Sequence, residues 1–403
     1  MTPKVALLGS GVFAQASYLP ALLSLSKSSD LILHTIWSRS SSSATTLHSQ
    51  AVESGISPAP ALQNGPDGLE AVLNDPEIDA VLLVLPITAQ PELVRKAWKA
   101  GKHVISEKPL GKDVAEARGL IEEYEKEYKP KGLIWRVAEN FAHEPVLRFT
   151  RDKLANTPEL GPMLNWKLNF EAYVEDGSKY QATEWRTVPA YQGGFLLDGG
   201  VHFSALLRTV LPDSALPSSL VSFSHLHRTH LLPHDTLTAI SLPSPSSTTS
   251  PNGPKTKLSS AIHTEKDLAS QPGQSAPLGQ IFMSFALPDT APETRTPNGL
   301  IITYLNGVAK IVSDPKTREW IFNIYPANGS SVEKVEKRGS PEGVEVEIKH
   351  FANAIQAIKD GKKDGGVENY GEPRGALWDL AVIEGMLKSE GKELNLDQLI
   401  KGE

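Results

Sequence analysis

The sequence predicts an α/β chain with an N-terminal doubly wound parallel sheet and a second, strand-rich domain behind it. Three observations lead there. A short apolar run ends in a glycine turn that opens a helix. Strand-like and helix-like segments then alternate to about residue 140, and the second half carries short apolar runs broken by Gly, Asn and Asp. At 403 residues the chain is long enough for two domains.

The opening run "KVALLG" (4–9) reads as a buried strand, and "GSGVFA" carries it into "AQASYLPALLSL", a helix. Strand, glycine turn and helix form the context of a dinucleotide-binding fingerprint. Gly9 permits the tight turn, and Gly11 lets the backbone approach a pyrophosphate at the helix N-terminus, beside Ser10, Val12 and Phe13. Ala14 stands where the pattern needs only a small residue. The strands that follow are "LILHTIWS" (31–38), "AVLLVLP" (80–86), "HVISEKP" (103–109) and "LIWRVAEN" (133–140). Amphipathic segments such as "PELVRKAWKAG" and "VAEARGLIEEYEKEY" separate them, which argues for parallel strands joined by helical crossovers.

The end of the second strand bears on the cofactor. An NAD site normally places a carboxylate there for the ribose 2′-hydroxyl. Here "WSRSSSS" (37–43) offers Arg39 with the hydroxyls of Ser38, Ser40 and Ser41, which suit a 2′-phosphate. NADP(H) is therefore expected over NAD(H); a solvated serine-rich loop with an incidental arginine is the alternative.

Two segments carry candidate chemistry. "SEKPLGK" (106–112) falls at the carboxyl end of a strand, the edge at which open α/β sheets bind ligands. There Glu107 and Pro109 flank Lys108 on a stiff turn. Beside an oxidised nicotinamide ring, the neighbouring positive charge and partial burial would favour the neutral amine of such a lysine. "TEWRTVPAYQGGFLLDGGVHFSALLRTVL" (183–211) begins with Trp185 and Arg186, crosses a glycine turn and enters an apolar-periodic helix. If that helix starts near Leu197, Asp198 and His202 share one face at i and i+4. Asp198 could equally be an N-cap and His202 a satisfied core histidine.

The remaining chain sets limits. A net charge of −7 argues against nucleic acid or an anionic membrane as the main partner. The absence of cysteine excludes disulfides, thiolate nucleophiles and cysteine-ligated metals. No leader or membrane-spanning run is evident, so a cytosolic location is expected. Residues 243–278 are rich in Pro and Ser and read as a flexible insertion between the strands "TLTAISL" (236–242) and "GQIFMSFAL" (279–287). "LIITYL", "AKIVS" and "EWIFNIY" suggest an antiparallel meander, and two amphipathic helices follow. "HLHRTH" (225–230) alternates like a half-exposed strand, and no metal-ligand spacing is found.

Taken in order, "GSGVFA", "EKPLGK", "AENFAHEP" and "WRT…GGFLLDGGVH" resemble the Gfo/Idh/MocA family of NAD(P)-dependent oxidoreductases, and most closely a fungal NADP-dependent subgroup. The resemblance runs from residue 3 to about 390, apart from the insertion. It implies an N-terminal Rossmann domain (1–142) and a C-terminal α/β domain (143–403) with a large, mostly antiparallel open sheet, with the C-terminal helix available to pack back on the first domain. It further implies that Lys108, Asp198 and His202 converge on the reacting carbon and that Trp185 and Arg186 approach the nicotinamide. Leu85, Pro86 and Glu107 are expected near the cofactor, and Asn140 and Tyr191 near the substrate. Gln90 in "PITAQ" departs from relatives that carry histidine there.

The expected reaction is hydride transfer between nicotinamide and a carbinol or carbonyl carbon of a sugar, polyol or related small molecule. Lys108 or His202 would move the hydroxyl proton. A non-catalytic dinucleotide-binding sensor of the same fold, or a reductase of an imine, tetrapyrrole or dihydrodiol, are the alternatives. The resemblance also implies a homodimer.

Overall fold

The computed structural model describes residues 2–189, 191–243, 277–291, 294–362 and 369–403, so residues 244–276 of the Pro/Ser-rich stretch lie outside the described residues. The chain divides into two units: 1–144, 177–192 and 342–380 in the first, 145–176, 193–341 and 381–403 in the second. The single cut expected after residue 142 is thus replaced by a discontinuous division in which the chain returns twice to the first unit. Among the described residues, no helix is long and apolar enough to cross a membrane.

In the first unit, β1 (Lys4–Leu8), β2 (Ile32–Ser38), β3 (Ala61–Asn64), β4 (Ala80–Leu83), β5 (His103–Glu107) and β6 (Trp135–Ala138) form one sheet. Its order is β3-β2-β1-β4-β5-β6 and every pair is parallel. The order reverses between β1 and β4, the switch point at which such sheets open a crevice for ligand. Sheets covered on both faces need strands apolar on both sides. This is why β1, β4 and β5 stand out as apolar runs and why β3, "ALQN" on the open edge and largely exposed, does not.

The helices are α1 (Leu19–Lys27), α2 (Ser41–Glu53), α3 (Gly65–Asn74), α4 (Gln90–Lys99) and α5 (Val114–Glu123). A π-turn, Ala14–Tyr18, leads into α1, with the Leu19 N–H donating to the Ala14 carbonyl. Pro20 follows at once. A proline ring crowds the carbonyl four residues back, and the wider turn relieves that contact. Ser40 caps α2, accepting from the Ser43 N–H at 3.3 Å, and Asp113 caps α5, accepting from the Glu116 N–H at 2.8 Å. The helix Gly343–Lys359 belongs to this unit, and its Ile348, Phe351 and Ile355 join the core of Tyr18, Leu22, Leu33 and Leu82.

The second unit is built on nine strands: β7 (Met163–Glu171), β8 (Pro217–His225), β9 (Thr236–Pro243), β10 (Leu278–Ser284), β11 (Gly299–Tyr304), β12 (Gly307–Ser313), β13 (Trp320–Pro326), β14 (Val335–Gly339) and β15 (Leu394–Asn395). Their order is β14-β13-β12-β11-β7-β10-β9-β8-β15, and only β7 and β10 run parallel. One face packs under the helices Pro145–Ala155 and Gly194–Val210, burying Trp166, Leu168, Ile281, Met283, Ile302 and Phe322. The other face bears exposed apolar side chains: Phe223 at 57%, Ile240 at 52%, Tyr325 at 46% and Ile301 at 37%.

Two local expectations are corrected. "HLHRTH" is not a half-exposed strand, because β8 stops at His225. The fully buried Asp235 draws the chain off the sheet, accepting from the N–H groups of His227 and Arg228 at 2.7 Å each and pairing with His227 Nδ1 at 3.0 Å. The second helix begins at Gly194 and not near Leu197, so Asp198 lies inside its second turn and is not the cap.

The glycines explain the earlier start. Gly193 and Gly194 have φ of +117° and +44°, and a Cβ on Gly194 would stand 2.2 Å from the Leu232 carbonyl oxygen. A left-handed backbone and a rigid neighbour both oppose a side chain there. Gly194→Ala should therefore destabilise the protein by about 2 kcal/mol or more. Gly119→Ala, on the exposed side of α5 with nothing near its Cβ, should stabilise by roughly 0.5–1 kcal/mol. Denaturant melts of the two variants check both signs.

Candidate cofactor and catalytic site

The residues expected to hold a dinucleotide lie along one edge of the parallel sheet. Gly9 follows β1, Ser38 and Arg39 end β2, Leu85 and Pro86 follow β4, Glu107 and Lys108 end β5, and Asn140 follows β6. Gly9 ties three of these points together. Its N–H donates to the Trp37 carbonyl at 2.9 Å, and its φ is +121°. A Cβ on it would stand 2.1 Å from the Val84 carbonyl oxygen. Gly11 differs: a Cβ there would meet nothing within 4 Å. The first glycine is thus required by the fold, whereas the second leaves open space at a helix that begins with Val12 and Phe13. Ser10 is buried, and its carbonyl accepts from Gln15 Nε2 at 2.9 Å.

Beyond β2, Ser38 is buried while Arg39, Ser40 and Ser41 are exposed at the N-terminus of α2. The edge therefore presents a guanidinium, hydroxyls and the unpaired N–H groups of a thirteen-residue helix at one place. Ser40 already serves as the cap of that helix, which limits its hydroxyl as a donor to anything else.

Past β4, Gln90 is 1% exposed and opens α4 on the side it shares with Val94, Ala97 and Trp98. Neither of its amide atoms has a hydrogen-bond partner. An amide on an apolar stripe is costly when unsatisfied, by about 1–3 kcal/mol per group.

The Glu107–Lys108 turn is held from beneath. Glu107 is 7% exposed and accepts from the Tyr18 hydroxyl at 2.9 Å and from the Lys108 N–H at 3.2 Å. Burial first, and then the Glu107 and Glu347 carboxyls, push the Tyr18 phenol well above its ordinary range, so it remains a donor. Lys108 is half-buried and its bond to Pro109 is cis. Sequence reasoning placed Glu107 near the cofactor; in the structure it accepts from the Tyr18 hydroxyl and from the Lys108 N–H. Tyr18 and Glu347 went unnoticed in the sequence, although Glu347 interrupts an otherwise apolar helical stripe.

Other residues of the first unit are placed as follows. Asn140 opens a 3-10 turn, Asn140–His143, and Tyr191 is half-buried. Trp185 and Arg186 share a single helical turn, Glu184–Thr187. Arg186 donates to Thr183 Oγ1 at 3.0 Å and lies 5.9 Å from the Tyr180 ring centroid.

In the second unit, Asp198 and His202 lie one turn apart on the helix Gly194–Val210, Asp198 at 7% exposure and His202 half-buried. The neighbouring glycines are required by packing: a Cβ on Gly199 would stand 2.8 Å from the Phe285 ring, and one on Gly200 3.1 Å from Ile383. Among the described residues, no three His, Asp or Glu side chains are grouped to hold a metal ion.

Residues 3–130 match the Gfo/Idh/MocA family, described as an oxidoreductase family with an NAD-binding Rossmann fold. A dehydrogenase of Fusarium mangiferae is 39% identical over 238 residues, a stretch covering 59% of this chain and 66% of that one, just under two thirds of its length. A 1,5-anhydro-D-fructose reductase of Ensifer adhaerens is 28% identical over 39% of this chain and 44% of its own. Among solved structures, an oxidoreductase from Thermotoga maritima superimposes with a TM-score of 0.73, covering 99% of this chain and 100% of the other at 24% identity, which establishes a common fold. The switch-point sheet and the glycine turn thus lie in the stretch, residues 3–130, that matches the Gfo/Idh/MocA oxidoreductase family.

Proposed function

We propose that the protein is an NADP(H)-dependent oxidoreductase acting at a carbinol or carbonyl carbon of a sugar, polyol or related small molecule. One observation carries the reading: the open space over Gly11 and the Lys108 turn lie on the same edge of the parallel sheet, at the switch point and one strand beyond it. The similarity to an anhydrofructose reductase supports a sugar-like substrate. When bound, NADP(H) supplies or accepts the hydride.

The chain's own residues would do the rest. Gly11 and the helix beginning at Val12 would receive the pyrophosphate, and Arg39 with the start of α2 the 2′-phosphate. Glu107 and Tyr18 would hold the turn from which Lys108 hydrogen-bonds the substrate oxygen. From the second unit we assign His202 to the same reaction, moving or holding the hydroxyl proton. Asp198, one turn before it, would orient the imidazole or grip a neighbouring hydroxyl. The open apolar face of the second sheet, with Phe223, Ile240, Ile301 and Tyr325 exposed, supports a homodimer that buries it.

Incubation with C4-deuterated NADPH of each stereochemistry and a metabolite extract should transfer deuterium to an alcohol. Mass spectrometry reads the label, and its absence in both reaction directions would favour a non-catalytic sensor. Lys108→Ala should lower turnover by about 10²–10⁴-fold with NADPH affinity largely kept; near-normal turnover would remove Lys108 from the mechanism. Arg39→Asp should weaken NADPH by about 10–100-fold, the range of a lost charge-assisted bond, and leave NADH nearly untouched in fluorescence titrations. Light scattering should give twice the chain mass for the wild type and a monomer for Ile240→Glu.

A further inference from the structure

The helix Gly343–Lys359 turns a largely apolar stripe toward the core, yet it buries a carboxyl there. Glu347, between Gly343 and Phe351 on that stripe, is 1% exposed, and its Oε2 has no hydrogen-bond partner. The acidic and phenolic groups that act on it come from several elements of the unit. The π-turn before α1 brings Tyr18, and the end of β5 brings Glu107. The segment after β6 brings Glu139 and Glu144, both 1% exposed. Three of these carboxyls are engaged as acceptors. Glu107 takes the Tyr18 hydroxyl and the Lys108 N–H, and Glu144 Oε2 takes the Glu342 N–H at 3.0 Å. Glu139 Oε1 likewise accepts from the Phe141 N–H at 3.1 Å. Other titratable groups of these elements are Arg136 on β6, His143 in the turn after it, and His350 on the helix itself, the two imidazoles meeting through Nδ1 at 3.2 Å.

Four buried carboxyls cannot all be ionised together, since each charge raises the cost of the next. The proton falls to the member with the least to lose. Glu107, Glu139 and Glu144 each gain hydrogen bonds as acceptors, which favours their charged forms. Glu347 gains none, and an ionised oxygen left without a donor in the interior is far more costly than a neutral acid. Burial first, and then Glu107, Glu139 and Glu144, push Glu347 well above the ordinary carboxyl range. Glu144 follows the same direction to about 7, burial outweighing its backbone donors.

We propose that Glu347 is a proton-holding positioning residue: as a neutral acid it leaves Glu107 ionised, and so fastens the turn that presents Lys108 to the Tyr18 hydroxyl. The proton-holding part stands on the first unit alone, and the consequence for catalysis rests on the function proposed above. A proton bound in the folded state and released on unfolding adds stability that is full below the unfolded carboxyl value near 4.5 and is lost as pH rises toward the folded value.

Glu347→Gln supplies a permanent neutral mimic and tests the proposal on the full chain. The infrared difference spectrum, wild type minus E347Q at neutral pH, should contain one protonated-carboxyl stretch. The Tm of E347Q should match wild type near pH 5 and exceed it increasingly at higher pH, by roughly 2–5 °C per pH unit. Where turnover is measurable, E347Q should move the alkaline limb of the wild-type kcat profile upward by a pH unit or more, a change that lost packing would not produce. A difference spectrum without the protonated-carboxyl band, or a Tm difference that does not vary with pH, overturns the proposal. The band with a widening Tm difference, but no turnover in either protein, would instead count against the catalytic reading of Lys108 and leave the buried proton established.

Discussion

The carbonyl of Val84 occupies the place where a side chain on residue 9 would project, and the geometry of the first unit follows from that contact. Only glycine can hold the left-handed turn at this position with a neighbouring strand so close. Because Gly9 also donates to the end of β2, one residue fixes the mutual heights of β1, β2 and β4. The helix after β1 must then begin at the edge where β2, β4 and β5 also end. An alternating β-α sequence is thereby turned into a line of chemically different loop residues along one sheet edge.

Glycines of the second unit answer to similar constraints without touching the chemistry directly. Gly194 yields to the Leu232 carbonyl, Gly199 to the Phe285 ring and Gly200 to Ile383. Together they let the helix Gly194–Val210 settle against the strands and the C-terminal segment of its unit, which fixes Asp198 and His202 on it. The "GGF…DGG" pattern that drew notice in the sequence is thus a packing signature around two polar side chains. Gly11 is the contrasting case. No neighbour demands it, since a Cβ there would meet nothing within 4 Å.

What could be read from the sequence depended on whether local pattern and tertiary demand agreed. The strands β1, β2, β4 and β5 are buried on both faces, and apolar runs betray them. β3 is an exposed edge strand with one half-buried side chain, so "ALQN" carries no pattern to find. Asp235 lies too far along the chain from His227 for spacing to foretell that it would draw "HLHRTH" away from the sheet. Helix starts mislead in the same way: the sequence suggests a start near Leu197, but the helix begins at Gly194, whose missing side chain leaves room for the Leu232 carbonyl. The edge residues were legible as a set because strand ends can be counted. Their placement against partners such as Tyr18 was not.

The carboxyl beneath the Lys108 turn shows why a rule-breaking residue is informative. A helix packed into the core of Tyr18, Leu22 and Ala138 has no packing reason to carry an acid, and a leucine at position 347 would fill the space with no polar atom to satisfy. With leucine there, however, Glu107 would face the Glu139 and Glu144 carboxyls without a neutral group among them. An apolar neighbour would disfavour the Glu107 carboxylate, and a more neutral Glu107 would weaken its grip on the Tyr18 hydroxyl and the Lys108 N–H, since a neutral carboxyl is a poorer acceptor than a carboxylate. An acid that keeps its proton avoids this outcome. It remains polar enough to lie beside a charge, and neutral enough to be buried. The glutamate at 347 is therefore best understood through the charge of Glu107, and that charge through the turn on which Lys108 is carried.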